Sequence, residues 1–383
     1  MATNALILSG GGARAAYQVG VLLGVSDILP GLKNPFPVIC GTSAGAINAA
    51  ALAAHPGTYH RSAHDLAETW RTLEVDKIFK TDTLSLLKGS FSTFSSFFTA
   101  AAKRSSPVAL LDNSPLKVLL NEVVNFKNIQ KKIDKGSLEA LAITALGYNS
   151  GESVTFFQGQ ESLRGWRRYR RVGTPAKITV EHLMASSAIP GVFPTVRLSR
   201  EYFGDGAMRQ MAPISSALHL GANRVFVIGV SGNRAVGPWG NAGRFATPKH
   251  SPSVAQILGQ MMNSAFIDSL EGDIEHLERI NELLKRIPED RRDEIGQLRE
   301  VDTLIISPST RLDKIAGRRV RNLPKALRFF MRNSGATARG GGAAVASYLL
   351  FNHEYCRELI DLGYQDAMWE REKIERFFAA DAH

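Results

Sequence analysis

The chain has 383 residues, 44% of them apolar, 21% charged and 8% aromatic, a composition that excludes disorder as its main state and leaves ample material for a buried core. Its formal charge of +10 is local: residues 1–232 carry 24 basic and 15 acidic side chains, whereas 233–383 carry 22 and 21. A uniformly basic, histone-like surface is thereby excluded, and a local positive field attracts nucleic-acid and lipid phosphates alike.

From the amino terminus, MATNALILSGGG has neither the basic start nor the long apolar stretch of a secretory signal. Asn4 to Leu8 is a short apolar run that stops at Gly10-Gly11-Gly12, and residues 13–29 place apolar side chains at helical spacing, which predicts a strand, a glycine loop and a helix. Pro35-Phe36-Pro37 leads into a second strand, Val38-Ile39-Cys40, which ends at Gly41-Thr42-Ser43-Ala44-Gly45 before an alanine-rich helix over 46–54. Cys40 and Cys356 are the only cysteines and stand in no zinc or redox spacing, so no disulfide framework and no metal site is expected, and the reading is a protein of the reducing cytoplasm. Phe91, Phe94, Phe97 and Phe98 recur at helical spacing, which fits either a core stripe or an acyl-chain channel or lid.

Apolar runs at 140–146, 153–157 and 225–230 alternate with helical patterns, as in an α/β sheet with helices on its faces. Between them Arg164, Arg167, Arg168, Arg170 and Arg171 surround Trp166 and Tyr169, a pattern that fits a solvated basic strand or a contact with anionic headgroups; with no RNA-binding motif beside it, no nucleic-acid partner is expected. Past residue 232, Gly, Pro, Trp and Asn crowd into 232–249, helical patterns follow, and 303–306 is a last strand candidate. The expected division is 1–232, a catalytic domain, and 233–383, a mainly helical extension with no catalytic group evident. No apolar run reaches the ~18–20 residues that span a bilayer.

Ser43 occupies the centre of G-x-S-x-G where a strand meets a helix, the context that gives the motif meaning: small neighbours let the backbone turn sharply and project the hydroxyl at a helix N-terminus. Gly10-Gly11-Gly12 offers unshielded backbone N–H groups to an oxyanion, and Arg14 adds positive charge nearby. The same glycines fit a dinucleotide fingerprint, but the acidic residue expected near the end of the second strand is missing, since that strand runs from Cys40 into Gly41. For the general base, none of nine histidines sits in a turn at the end of a convincing strand, and only about 40 residues precede Ser43, which argues against an α/β-hydrolase. Asp205, between Gly204 and Gly206 after an apolar segment, is the better candidate, although a D-G pair alone is also an ordinary surface turn.

Four ordered blocks now stand together: Gly10 to Arg14, Gly41 to Gly45, Ala185-Ser186-Ser187-Ala188-Ile189-Pro190-Gly191-Val192-Phe193-Pro194, and Asp205-Gly206-Ala207. In order and spacing they resemble the patatin-like phospholipases over residues 4–232, and the segments 347–351 and 362–367 look like the helical extension of some bacterial members. The resemblance implies a three-layer α/β/α sandwich and a Ser–Asp dyad in place of a triad. It implies Ser43 as nucleophile, Asp205 as base, Gly11, Gly12 and Arg14 as the oxyanion loop, and Gly10, Gly41, Gly45 and Gly206 as motif support. Ala15 stands where the family often has Gly, and Ala207 is a familiar alternative in the aspartate block. The expected activity is acyl-ester hydrolysis of lipids of phospholipase A or lysophospholipase type, without cofactor, at the inner face of a membrane. The alternatives are a catalytically silent membrane-binding scaffold, or a neutral-lipid lipase or thioesterase.

Overall fold

The computed structural model describes residues 3–80, 109–231, 254–288, 298–323, 328 and 342–379. The phenylalanines at 91–98 lie outside the described residues, as do 324–327 and 329–339 of the basic stretch 311–339, which reads in sequence as a second candidate for membrane contact. In chain order the strands are β1 (Asn4–Leu8), β2 (Val38–Thr42), β3 (Ala140–Gly147), β4 (Ser153–Gly159), β5 (Trp166–Arg168), β6 (Arg171–Pro175), β7 (Val196–Leu198), β8 (Glu201–Asp205), β9 (Arg224–Ile228) and β10 (Asp302–Ile306). The helices are α1 (Ala16–Ile28), α2 (Ala44–Ala54), α3 (Tyr59–Arg71), α4 (Ser114–Val123), α5 (Lys127–Asp134), α6 (Val180–Ser186), α7 (Ser215–His219), α8 (Val254–Asn263), α9 (Ser269–Lys285), α10 (Leu312–Arg319), α11 (Gly342–Leu349), α12 (His353–Trp369) and α13 (Arg371–Ala379).

Among the described residues, ten strands join one mixed sheet, ordered β10-β9-β1-β2-β3-β4-β6-β5, with β8 on β3 and β7 on β8. From β10 to β3 the pairing is parallel, and β3 pairs antiparallel with both β4 and β8. β1, β2 and β9 read as unbroken apolar runs because helices cover both faces of the sheet. Leu6, Ile39, Leu141 and Phe226 face one apolar layer with side chains of α1, α2, α3 and α12; Ile7, Cys40, Ala142 and Val227 face another with Ala217 of α7 and Ile274 and Leu277 of α9. The expected α/β architecture with helices on both faces is therefore present.

Residues beyond 232 are built into the same body. β10 is the parallel neighbour of β9, and α12 lies directly across α1. At that crossing the backbones nearly touch: a Cβ on Gly20 would sit 2.0 Å from the Ile360 carbonyl oxygen, and one on Gly363 2.2 Å from that of Tyr17. The crossing brings the buried Tyr17 hydroxyl to Asp366, to which it donates at 2.9 Å.

The parallel order sends the carboxyl ends of β1 and β2 to the same edge, and β3 and its antiparallel partner β8 continue along it. Ala145 of β3 is opposite Asp205 at the last position of β8. That register brings residue 205 to Ser43 across 162 positions of sequence.

Candidate active site

Ser43 follows the last residue of β2 and precedes the first of α2. Its backbone is at φ 55°, ψ −129°, a region that costs a non-glycine residue roughly 1–3 kcal/mol and persists only where the surroundings over-determine it. Two features hold it. The Ser43 amide donates to Ser186 Oγ at 2.8 Å, and that hydroxyl donates in turn to the Thr144 carbonyl at 2.6 Å, so α6 and β3 grip the turn together. On the other side α2 starts so close to β1 that a Cβ on Gly45 would lie 2.3 Å from the Leu8 carbonyl oxygen.

The Ser43 hydroxyl donates to Asp205 Oδ2 at 2.6 Å. The other carboxylate oxygen, Oδ1, accepts from the Ala207 amide at 3.0 Å, and the Asp205 amide donates to the Ala188 carbonyl, which ties the carboxyl-bearing turn to the 185–194 block. Gly206 permits this approach, since a Cβ there would fall 2.1 Å from the Thr144 carbonyl oxygen. Asp205 is fully buried and Ser43 nearly so, at 0% and 1% exposure. Burial pushes the Asp205 carboxyl up to about 7, against the hydrogen bonds from Ser43 and Ala207 that favour its charged form. A carboxylate raised this far is a competent base near neutral pH, where an ordinary aspartate is a weak one. Among the described residues no histidine hydrogen-bonds to Ser43 or Asp205.

The glycine loop lies beside the hydroxyl. Gly12 adopts φ +54° and opens a 3-10 turn, Gly12–Ala15, that leads into α1, and the first amides of such a turn have no partner within it. Gly10 sits under the Phe266 ring, and a Cβ there would lie 2.7 Å from that ring and 3.1 Å from Ser43 Cβ. Arg14 goes elsewhere: its Nε donates to Ser347 Oγ at 2.7 Å, its guanidinium stacks 4.0 Å from the centre of the Tyr348 ring, and its side chain faces a polar cavity with Gln260, Asn263 and Asp313. The backbone of Arg14 belongs to the loop, and its amide donates to the Gly11 carbonyl.

Ser43 and Gly12 line a narrow cavity of about 50 Å³ whose other walls are almost wholly apolar, with Ile47 and Ala51 of α2, Trp70 of α3, and Leu116 and Leu120 of α4 among them. With walls of this kind, an apolar group fits it better than a polar one. One group of side chains able to hold a metal occurs among the described residues, Asp27, His60 and His64, and it neither lines this cavity nor touches Asp205.

Sequence reasoning missed the supporting groups. Ser186 and Ala188 stand in the 185–194 block, whose pattern gives them no role of their own, and Thr144 is hidden in an apolar run. Gln210, which accepts from Thr42 Oγ1 at 2.5 Å and donates to Thr144 Oγ1 at 3.4 Å, had no signal in the sequence at all. Trp166 is also placed differently from the headgroup position considered for it. It stacks between the rings of Phe157 and His219, leaving Tyr169 as the exposed aromatic of the arginine cluster, at 81% exposure.

A family model described as patatin-like phospholipase matches residues 6–218, more than half of the chain. No curated protein matches the chain significantly. Among solved structures, human GIVD cytosolic phospholipase A2 in complex with methyl gamma-linolenyl fluorophosphonate is similar at 12% identity and a TM-score of 0.43, with 99% of this chain and 59% of that one covered. VipD from Legionella pneumophila is similar at 12% identity and a TM-score of 0.31, with 94% of this chain and 67% of that one covered. The chain therefore spans less than two thirds of the human phospholipase.

Proposed function

The chain belongs to the patatin-like phospholipase family, and from that premise we propose that it hydrolyses acyl esters of lipids, of phospholipase A or lysophospholipase type, through an acyl-enzyme on Ser43. The observation that carries this reading is the 2.6 Å hydrogen bond from the Ser43 hydroxyl to a buried carboxylate, at the wall of an apolar cavity.

In the first half-reaction Asp205 Oδ2 takes the hydroxyl proton as Ser43 Oγ bonds to the acyl carbonyl carbon. The carbonyl electrons move onto oxygen, and the amides of Gly11 and Gly12 face that oxyanion, with the N-terminus of α2 adding a favourable field. Collapse of the tetrahedral species breaks the ester C–O bond, and the leaving alkoxide takes the proton from Asp205. Water then attacks the acyl-Ser43 ester, Asp205 accepts its proton, and the fatty acid departs as Ser43 recovers its hydrogen. Each donor removed from such an oxyanion site typically costs about 10² to 10³ in rate. The acyl chain occupies the cavity between α2, α3 and α4.

The arginine cluster supports attachment to a lipid surface. Arg167, Arg168 and Arg170 are exposed around Tyr169 on the β5–β6 hairpin, although Arg167 also pairs with Glu152 at 2.7 Å. No described helix is long and apolar enough to cross a membrane. We place the chain at the surface of anionic bilayers, a contact that weakens with salt.

A panel of phospholipid, lysophospholipid, triacylglycerol and acyl-thioester substrates, assayed with wild type and Ser43→Ala, tests the reading. Fatty acid release from phospholipid or lysophospholipid, lost in the variant, is expected. Release from the thioester or triacylglycerol alone reassigns the substrate, and no release by folded wild type makes the chain a silent scaffold.

A further inference from the structure

Three side chains from two helices meet outside the cavity beside Ser43, and none has a part in the proposed dyad. His60 and His64 are one helical turn apart on α3, with ring centres 4.4 Å apart, and Asp27 stands opposite them near the end of α1. Asp27 Oδ1 is 3.7 Å from His60 Nδ1 and 3.5 Å from His64 Nε2. Four ligands placed tetrahedrally at about 2.0–2.1 Å from a zinc ion are about 3.3 Å from one another, so two of the three edges need only small rotations about side-chain torsions to match. All three ligand atoms lie within 4.8 Å of one another.

The carboxylate is also oriented for the task. Its second oxygen, Oδ2, accepts from the Tyr364 hydroxyl of α12 at 3.2 Å, which leaves Oδ1 facing the imidazoles. Such an outer partner fixes a ligand's orientation in metal sites. The nearby His55 is occupied otherwise, with its Nε2 3.0 Å from Asp65, and Arg61 donates to the same carboxylate. The three ligand side chains are between 31% and 50% exposed, so an ion reaches them from solvent and keeps water as its fourth ligand.

We propose that Asp27 Oδ1, His60 Nδ1 and His64 Nε2 form a binding site for one divalent ion of the zinc class. Two imidazoles and one carboxylate suit zinc, nickel or copper better than magnesium or calcium, which prefer oxygen alone. Because Tyr364 belongs to α12, the ion ties α1 and α3 to the α12 helix packed against both. The proposal is independent of the esterase reading and survives or fails without it.

The test is calorimetric titration of the full chain, free of any histidine tag, with zinc chloride, followed by cobalt(II) as a spectroscopic stand-in. One ion per chain is expected, with a visible cobalt band of tetrahedral intensity and a rise in melting temperature on adding zinc. Since loss of an outer partner alone typically weakens metal binding by about 10–100-fold, Tyr364→Phe is expected to weaken it by about 10-fold and His60→Ala, His64→Ala or Asp27→Asn by at least about 100-fold. His55→Ala, with circular dichroism as the check on folding, is expected to bind as wild type does. No binding by wild type, equal binding by a folded His60→Ala/His64→Ala double variant, or an equal loss in His55→Ala overturns the site.

Discussion

Asp205 is the residue on which two opposite demands meet. In the proposed reaction Asp205 must be ionised to accept the Ser43 proton, yet complete burial favours its neutral form and lifts its carboxyl to about 7. Activity is therefore expected to rise with pH through about 7 as Asp205 ionises, which a kcat/KM profile for a soluble ester would read. Stability moves the other way. The folded chain holds the Asp205 proton up to about pH 7, whereas the unfolded chain releases it near 3.8, so the penalty of ionising a buried carboxyl begins above about pH 4 and is complete above about 7. Asp205→Asn removes that penalty while keeping the shape. Its melting temperature is expected to exceed that of wild type above pH 7, with the gap closing toward pH 4, and its turnover to fall by about 10² to 10⁴. A variant less stable than wild type at pH 8 would contradict this account of the pair. Ser186→Ala removes the acceptor for the strained Ser43 amide and leaves the Ser43 hydroxyl, the proposed nucleophile, in place. Its kcat is expected to drop by about 10-fold, with a smaller change in KM, because the turn relaxes away from the geometry of attack.

Element positions explain which parts of the site are legible in sequence. The Ser43 turn and the glycine loop announce themselves because a strand-to-helix elbow demands small residues at fixed local spacing, and Gly41, Gly45 and Gly12 meet that demand within a few positions. Asp205 is legible only through its block, since what brings it to Ser43 is the antiparallel pairing of β8 with β3. Ser186, Thr144 and Gln210 are illegible for the same reason: each works through a tertiary contact that no local pattern encodes. Trp166 reads as an interfacial aromatic among arginines, but on β5 its ring stacks on Phe157, while Tyr169 lies in the turn between β5 and β6, where its ring is exposed. The walls of the cavity come from α2, α3 and α4 and from the 187–193 segment and Phe351, and in the proposed reaction a change in one wall is expected to alter chain-length preference. Ala51→Leu on α2 fills part of the cavity and is expected to shift the best substrate toward shorter acyl chains, measured as relative kcat/KM across an acyl series. An unchanged preference would mean that the chain binds elsewhere.

Across the whole molecule, the change of composition at residue 232 does not mark a break in the sheet or the core. β10 extends the sheet, Phe377 and Phe378 of α13 pack on Phe226 of β9, and α12 crosses α1 at Gly20. Helical periodicity announced these helices but not what they cover, because an apolar stripe says only that a partner exists. Gly20→Ala sets a Cβ against the Ile360 carbonyl and is expected to cost about 3 kcal/mol or more in urea unfolding, at the upper end of what overpacking usually does. The proposed catalytic pair within this one body is the buried Ser43–Asp205 pair, with Ser43 as the nucleophile. That claim is tested most directly by treating the full chain with an alkyl fluorophosphonate at pH 8 and mapping the adduct by mass spectrometry. One adduct per chain, on Ser43, formed by wild type and suppressed at least about 100-fold in folded Asp205→Asn, is the expected result. A folded wild type that takes no adduct, or takes it on another residue, would contradict the account.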